Sequence, residues 1–140
     1  MMKNKSFKRI FSITCWILFY SCSSNISNND ALIQLVETKN NFGKLTYKQE
    51  AEYIFEFTNP GKTPLVISNV ETSCGCTAAN WTKEPVKPGK SGQIMIKYDA
   101  DSPGIFHKTI KVHYNGKDSP AILKIKGQVT YPEDLEDSVK

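Results

Sequence analysis

The chain has 140 residues and a formal net charge of +4, with 18 lysines and arginines against 14 aspartates and glutamates. The whole positive excess comes from Lys3, Lys5, Lys8 and Arg9, so from Cys22 onward the charges balance and arginine is absent. Arginine is favoured for bidentate phosphate and base contacts, and no basic stripe is evident along the sequence. We therefore expect no nucleic-acid partner.

The first residues have the pattern of a secretory signal. The basic start precedes an apolar run over 10–20, and Ser21 and Cys22 follow that run. Basic, apolar and small-residue segments in this order are typical of a cleaved export signal. The apolar run is shorter than the roughly 20 residues that a membrane-spanning helix needs. The sequence therefore predicts a signal peptide over residues 1–21.

Cys22 directly follows the predicted cleavage point. It resembles the lipobox cysteine of bacterial lipoproteins, and the bulky Phe19 and Tyr20 before it look like the looser lipoboxes of the Bacteroidetes lineage. The resemblance implies a lipid anchor at Cys22 and a polar tether over 22–30, with signal cleavage without a lipid as the alternative. No acidic run follows that resembles a surface-export signal. We therefore expect a cell-envelope protein, lipid-anchored in the outer membrane and facing the periplasm.

Residues 31–131 contain short apolar runs separated by turns. Within 51–58, Tyr53, Phe55 and Phe57 share one face, which is the period of a half-buried strand. The other apolar runs lie at 31–37, 65–70, 93–99, 106–114 and 121–129. The turn signals between them are Asn59-Pro60-Gly61, Pro88-Gly89, Ser102-Pro103-Gly104 and Asn115-Gly116. Of these, Asn115-Gly116 is the strongest hairpin signal.

Six or seven such strands, with no window of helical period, predict an all-β fold. Turns at near-regular intervals indicate an immunoglobulin-like antiparallel β-sandwich of about seven strands over 31–131, followed by an acidic tail at 132–140. An up-and-down barrel is the alternative, less favoured because no ligand cavity is evident. The predicted interior residues are Phe55, Phe57, Ile96, Tyr98, Ile110, Val112, Leu123 and Ile125.

Several motifs in this region together resemble a known family. They include Asn41-Phe42-Gly43-Lys44-Leu45, Phe55-Glu56-Phe57-Thr58-Asn59-Pro60-Gly61 and Ser73-Cys74-Gly75-Cys76-Thr77. In this order they are similar to the bacterial domain of unknown function 1573, an Ig-like module of envelope lipoproteins that is common in Bacteroidetes. The resemblance covers residues 40–131 and implies a fold and a compartment. It implies no activity.

Cys74 and Cys76 are the cysteines left after signal removal and acylation of Cys22. The cell envelope is oxidising, and Gly75 supplies the backbone freedom that a Cys-x-Cys disulfide ring requires. Three alternatives stay open: a disulfide, a redox or soft-metal site for copper or zinc, and two free buried thiols. A metal site would need a further ligand.

His107 is the candidate for that ligand. In an Ig-type sheet the strand over 65–70 pairs antiparallel with that over 106–114, which predicts that Cys74 and Cys76 lie near His107 and leaves His113 at the other end. The two histidines would be roughly 20 Å apart, too far to share one metal. We interpret Trp81 as a cover over the core.

The sequence contains no nucleophile elbow, phosphate-binding glycine loop or His-Glu-x-x-His motif. We therefore predict no catalytic residue and no cofactor apart from the copper or zinc alternative. Two function classes remain. The first is a non-enzymatic binding or assembly module, anchored to the membrane and presenting sheet edges or loops to an envelope protein or glycan. The second is a periplasmic redox or metal-handling protein that uses Cys74 and Cys76. The fold alone does not decide between them.

Overall fold

The computed structural model describes residues 30–132. The predicted signal peptide, the acylation site at Cys22, the tether up to residue 29 and the tail from residue 133 lie outside the described residues. The described part forms eight strands: β1 (Gln34–Leu35), β2 (Lys39–Thr46), β3 (Glu50–Thr58), β4 (Ile67–Thr72), β5 (Thr77–Trp81), β6 (Ser91–Asp99), β7 (Gly104–Tyr114) and β8 (Ala121–Thr130). None of these residues form a helix long and apolar enough to cross a lipid bilayer.

The strands form two four-stranded sheets. Sheet A has the order β1-β3-β6-β5, and sheet B has the order β2-β8-β7-β4. One face of each sheet contributes to a single shared core, and alternate side chains point outward. The predicted all-β sandwich is therefore confirmed, with eight strands where the sequence predicts about seven.

The interior predicted from period-two alternation is confirmed. All eight of the predicted core residues are buried in the structure. At one end of the core the rings of Tyr98 and Phe106 stack with their centroids 3.9 Å apart, and Phe42 lies beside both. The two sheets are thus joined by aromatic packing as well as by aliphatic side chains.

The sequence does not predict β2 or β5 as strands. The β2 segment contains two adjacent asparagines and Gly43, and its ladder shifts register between Asn41 and Lys44. Gly43 has a φ of +71°, and its N–H bonds Asn41 Oδ1. Such a bulge interrupts the alternation by which a strand is recognised. The β5 segment has no bulge, but it lacks branched apolar residues and therefore gives a weak strand signal.

One pairing differs from the antiparallel prediction. The strand β2 runs parallel to β8, with Lys39 opposite Lys124 and Thr46 opposite Thr130. The chain passes from sheet A to sheet B after β1, and β2 occupies the edge of sheet B beside β8. The other pairs in both sheets are antiparallel.

The predicted hairpin at Asn115-Gly116 joins β7 and β8, but through a longer loop. The last ladder pair is Val112 with Ala121, so the connection is not a two-residue turn. The Asn115 side chain accepts a hydrogen bond from the Val66 N–H at 2.9 Å and donates one to the Pro64 carbonyl at 3.0 Å. Asn115 thereby holds the segment that leads into β4.

Candidate functional site

The segment with the two cysteines crosses from β4 in sheet B to β5 in sheet A. The sulfurs of Cys74 and Cys76 are bonded to each other. The Thr72 hydroxyl donates to the carbonyls of Cys74 and Thr77, at 3.2 and 3.0 Å, and the Cys76 carbonyl accepts from the Asp99 N–H. Cys76 packs partly against the core, so the loop is held at both ends. A redox or soft-metal role for this pair stays a prediction.

In the described part of the chain, His107 and the two cysteines do not form a metal site. The predicted antiparallel pairing of β4 with β7 is confirmed, and it sets Thr72 opposite Ile110. His107 comes three residues before Ile110 on β7, faces outward and is opposite Lys126 of β8. Among residues 30–132, no group of three His, Cys, Asp or Glu side chains is placed to hold a metal ion. The two sulfurs and His107 are therefore not brought together as a three-ligand site.

The side chains of His113 and Trp81 both contact residues of β4. His113 is opposite Asn69 in β4, and its Nε2 lies 3.2 Å from Glu71 Oε1. The Trp81 ring packs against the core, and its Nε1 donates to the Ile67 carbonyl at 3.2 Å, which links β5 to β4 across the open side of the sandwich. The interpretation of Trp81 as a cover over the core is confirmed.

The disulfide is expected to contribute little to stability. Cross-links stabilise by restricting the unfolded chain, and this one encloses a single residue. We expect Cys74→Ser/Cys76→Ser to change the free energy of unfolding by less than about 1 kcal/mol in urea titrations. A loss of several kcal/mol would instead show that the bond supports the native loop between β4 and β5.

The edge of sheet A is open along most of β3. The short β1 pairs only with Phe57 and Thr58, and the Val36 N–H adds one bond to the Glu56 carbonyl at 3.0 Å. The N–H and C=O of one strand residue point to the same edge, and those of the next residue point to the opposite edge. The backbone groups of Glu52 and Ile54 therefore point to the same edge as those of Glu56. In the described part of the chain they have no strand partner there.

A shallow groove follows this open edge. It is lined by Val36, Glu37, Tyr53, Ile54, Phe55 and Glu56. Val36 is 70% exposed and Ile54 47% exposed, although both are apolar. The Tyr53 hydroxyl donates to the Glu37 carboxylate, and this hydrogen bond raises the pKa of Tyr53. The open edge thus combines unpaired backbone groups with apolar side chains.

The outward faces of the two sheets carry opposite charge. The outward charged residues of sheet A strands are Glu50, Glu52, Glu56, Lys97 and Asp99, and we call this surface the acidic face. Lys97 Nζ lies 2.8 Å from Glu50 Oε2, and the hydrogen bond to Glu50 raises the pKa of Lys97. Four acidic groups against one lysine leave this face negative.

The outward charged residues of sheet B strands are Lys39, Lys44, Lys111, Lys124, Lys126 and Glu71, and we call this surface the basic face. All five lysines are exposed. Glu71 lies at one side, 3.9 Å from Lys111. No basic stripe is evident along the linear sequence, and these lysines come together only through the pairing of the strands. The lysines come from three strands, and their outward alternation on β8 was the available signal.

Comparison with known proteins identifies a sequence family and a fold. The chain matches the family described as "Protein of unknown function (DUF1573)" over residues 33–129. No curated protein matches it.

Among solved structures, a Porphyromonas gingivalis W83 protein of unknown function superposes with a TM-score of 0.65 at 20% identity. The match covers 77% of this chain and 51% of that one, so this chain spans about half the length of that protein. A PapD-like (ASH) domain of human CEP192 superposes with a TM-score of 0.64 at 9% identity, covering 75% of this chain and 89% of that domain. At these identities the likeness concerns the fold alone.

Proposed function

Because the chain belongs to the DUF1573 family, whose description assigns no activity, its function has to be argued from its own surfaces, and we propose a non-enzymatic binding module. In this proposal Cys22 is acylated and anchors the domain in the bacterial cell envelope, in the outer membrane on the periplasmic side. The domain then binds an extended segment of another envelope protein at the open edge of β3.

The observation that carries the proposal is the unpaired edge beside Glu52 and Ile54. An exposed edge offers a row of backbone donors and acceptors to an incoming strand. Strand addition is a recurrent mode of peptide binding, in which backbone hydrogen bonds give affinity and side-chain contacts give specificity. Because β1 already occupies the far end of this edge, a partner strand would continue the line of β1.

The groove and the acidic face define the chemistry of the partner. Val36 and Ile54 offer apolar contacts, while Glu52 and Glu56 carry negative charge on the same strand. A strand that alternates apolar side chains with lysine or arginine complements both features. The expected partner is therefore a basic, extended segment of a second protein.

The anchor is tested by metabolic labelling with a clickable fatty acid. We expect the wild-type chain to incorporate the label and Cys22→Ala to incorporate none, because Cys22 is the predicted acylation site. Stable anchoring takes two or more acyl chains, since one chain binds membranes only marginally. Equal labelling of the two proteins would contradict the anchor. The Cys74→Ser/Cys76→Ser variant, which keeps Cys22, is the matched control and should label as the wild type does.

The binding edge is tested by Ile54→Pro. The Ile54 N–H points to the open edge and not to β6, so proline removes a donor that the fold does not use. A photo-crosslinking residue would replace Glu52 in both the wild-type chain and Ile54→Pro. In cells, we expect the wild-type chain to give a crosslinked band with its partner. The band from Ile54→Pro should be at least tenfold weaker. This loss corresponds to about 1.4 kcal/mol of binding free energy.

Ile54→Thr is the control for this experiment, because it keeps the N–H and the β-branched shape. Its crosslinked band should remain, weakened by no more than a few-fold. Thermal unfolding of both variants would establish that they are folded. An undiminished band from folded Ile54→Pro, or no band from the wild type, would contradict strand addition at β3.

A further inference from the structure

We propose that the basic face is a membrane-docking surface, which lies against anionic phospholipid headgroups and sets the orientation of the anchored domain. The inference rests on the proposed acylation of Cys22, which holds the domain at a membrane. It goes beyond that anchor because it assigns a second, non-covalent membrane contact to sheet B.

The register of sheet B brings the lysines together. Lys39 is opposite Lys124, and Asn41 is opposite Lys126, which is in turn opposite His107 on β7. Lys44 continues the surface beside Gln128. Cross-strand neighbours lie about 5 Å apart, so these side chains form one continuous patch. Each lysine near an anionic membrane surface contributes about 1 kcal/mol of attraction.

Two apolar side chains lie within the same surface. Ile105 is 74% exposed and lies opposite Gln128, while Ile122 is 40% exposed and lies opposite Lys111. Isoleucine exposed among lysines is costly in water and favourable at the boundary between headgroups and acyl chains. Basic residues combined with apolar ones are the composition of surfaces that bind at this boundary.

Polar donors occupy the centre of the patch. Two adjoining depressions there are both lined by Asn41, His107 and Lys126. Their ammonium, amide and imidazole N–H groups suit the phosphate oxygens of a headgroup. His107, a candidate metal ligand in the sequence, is thus part of an anion-binding surface in this proposal.

The opposite charge of the acidic face favours one orientation. The two sheets pack about 10 Å apart, and the Debye length at physiological salt is about 8 Å. A membrane that touches the basic face therefore attracts the lysines strongly and repels Glu52 and Glu56 only weakly. The attraction comes from this segregation of charge, since the chain from Cys22 onward is neutral.

The short chain segment between Cys22 and the domain favours a membrane as the partner of the basic face. The eight peptide steps from Cys22 to Asp30 can extend about 26–29 Å at most, so an acylated Cys22 keeps the domain close to the headgroups. In this orientation sheet A and the open edge of β3 turn away from the membrane. The proposed partner strand would therefore approach from the aqueous side.

The test measures which face lies near the lipid. The mature lipoprotein would be reconstituted into phosphatidylcholine vesicles with or without about 30% phosphatidylglycerol and with a headgroup-linked quencher. A fluorophore would be placed on the basic face through Gln128→Cys or on the acidic face through Gln93→Cys. Both glutamines are exposed, so the two positions are matched. We expect at least threefold stronger quenching at position 128 than at 93 in anionic vesicles, and no such difference in neutral ones.

Charge variants complete the test. We expect Lys124→Gln/Lys126→Gln to lower the ratio of docked to undocked domains roughly 30-fold, and about 1 M salt to have a similar effect. Lys87→Gln/Lys90→Gln, an exposed pair in the loop before β6, makes the same charge change elsewhere and should leave the quenching difference intact.

The alternative results are distinguishable. Equal quenching at both positions in stably anchored protein would overturn the docking surface and leave the anchor standing. Failure of the protein to enter either kind of vesicle would overturn the proposed anchor and the docking that rests on it. A quenching difference that rises with protein density and disappears in Glu52→Gln/Glu56→Gln would assign the basic face to a second copy and overturn the lipid assignment.

Discussion

Phe57→Ala is expected to lower the free energy of unfolding by about 3–5 kcal/mol, as truncation of a buried phenylalanine usually does. Phe57 is fully buried and lies opposite Gly92 in β6. A β-carbon on Gly92 would collide with the Phe57 ring, so the ring packs directly over the neighbouring backbone and fills the space of the absent side chain. Since domains of this size are stable by roughly 5–15 kcal/mol, the loss is a large fraction of the total.

Glu56→Ala is the matched control for this prediction. Glu56 precedes Phe57 on the same strand and faces outward, so its truncation should change stability by no more than about 0.5 kcal/mol. Urea unfolding of the two variants measures the difference directly. Equal losses would mean that the alternation of β3 is displaced by one residue.

Asn59→Ala is expected to cost about 2–4 kcal/mol, although the residue is polar and lies in a turn. Asn59 is completely buried. Its Nδ2 donates to the carbonyls of Thr63 and Val86, each at 2.8 Å, and its Oδ1 accepts from the Gly61 N–H at 2.9 Å. Alanine would leave the buried Gly61 N–H without an acceptor and would open a small cavity. Because the position is buried, water does not readily replace the lost hydrogen bond.

Asn115→Ala makes the same chemical change at an exposed site. The Asn115 side chain also forms two hydrogen bonds to backbone groups, but solvent can replace them after truncation. The expected cost is about 1 kcal/mol or less. Thermal unfolding of the two variants compares them, and a loss at Asn115 as large as that at Asn59 would show that burial is not the cause.

The core of this domain is predictable from the sequence where alternation is strong. Glu56 separates Phe55 from Phe57, and Ile94, Ile96 and Tyr98 occupy every second position of β6, so the inward faces of β3 and β6 follow from period two. Asn59 was predictable as a turn residue but not as a buried one. Its burial depends on Val86, which is distant in the chain and close only after folding.

The surfaces that carry the two proposals could not be predicted in this way. The open edge of β3 exists because β1 is only two residues long, and strand length in a weakly patterned segment is poorly encoded locally. The basic face requires the registers of β2, β7 and β8 together. The charged residues from Cys22 onward sum to zero net charge, whereas the pairing of the strands places the acidic and basic residues on opposite sides of the domain.

The parallel pairing of β2 with β8 also constrains the order of folding. Residue 39 lies beside residue 124, so β2 gains its ladder only when nearly the whole domain is present. Contacts between residues so far apart in the chain require closure of a long loop, and they slow folding. A chain interrupted before residue 121 cannot complete sheet B, because β2 and β7 would each lack their central neighbour. The native structure of this domain is therefore expected to form late, only after β8 has been synthesised.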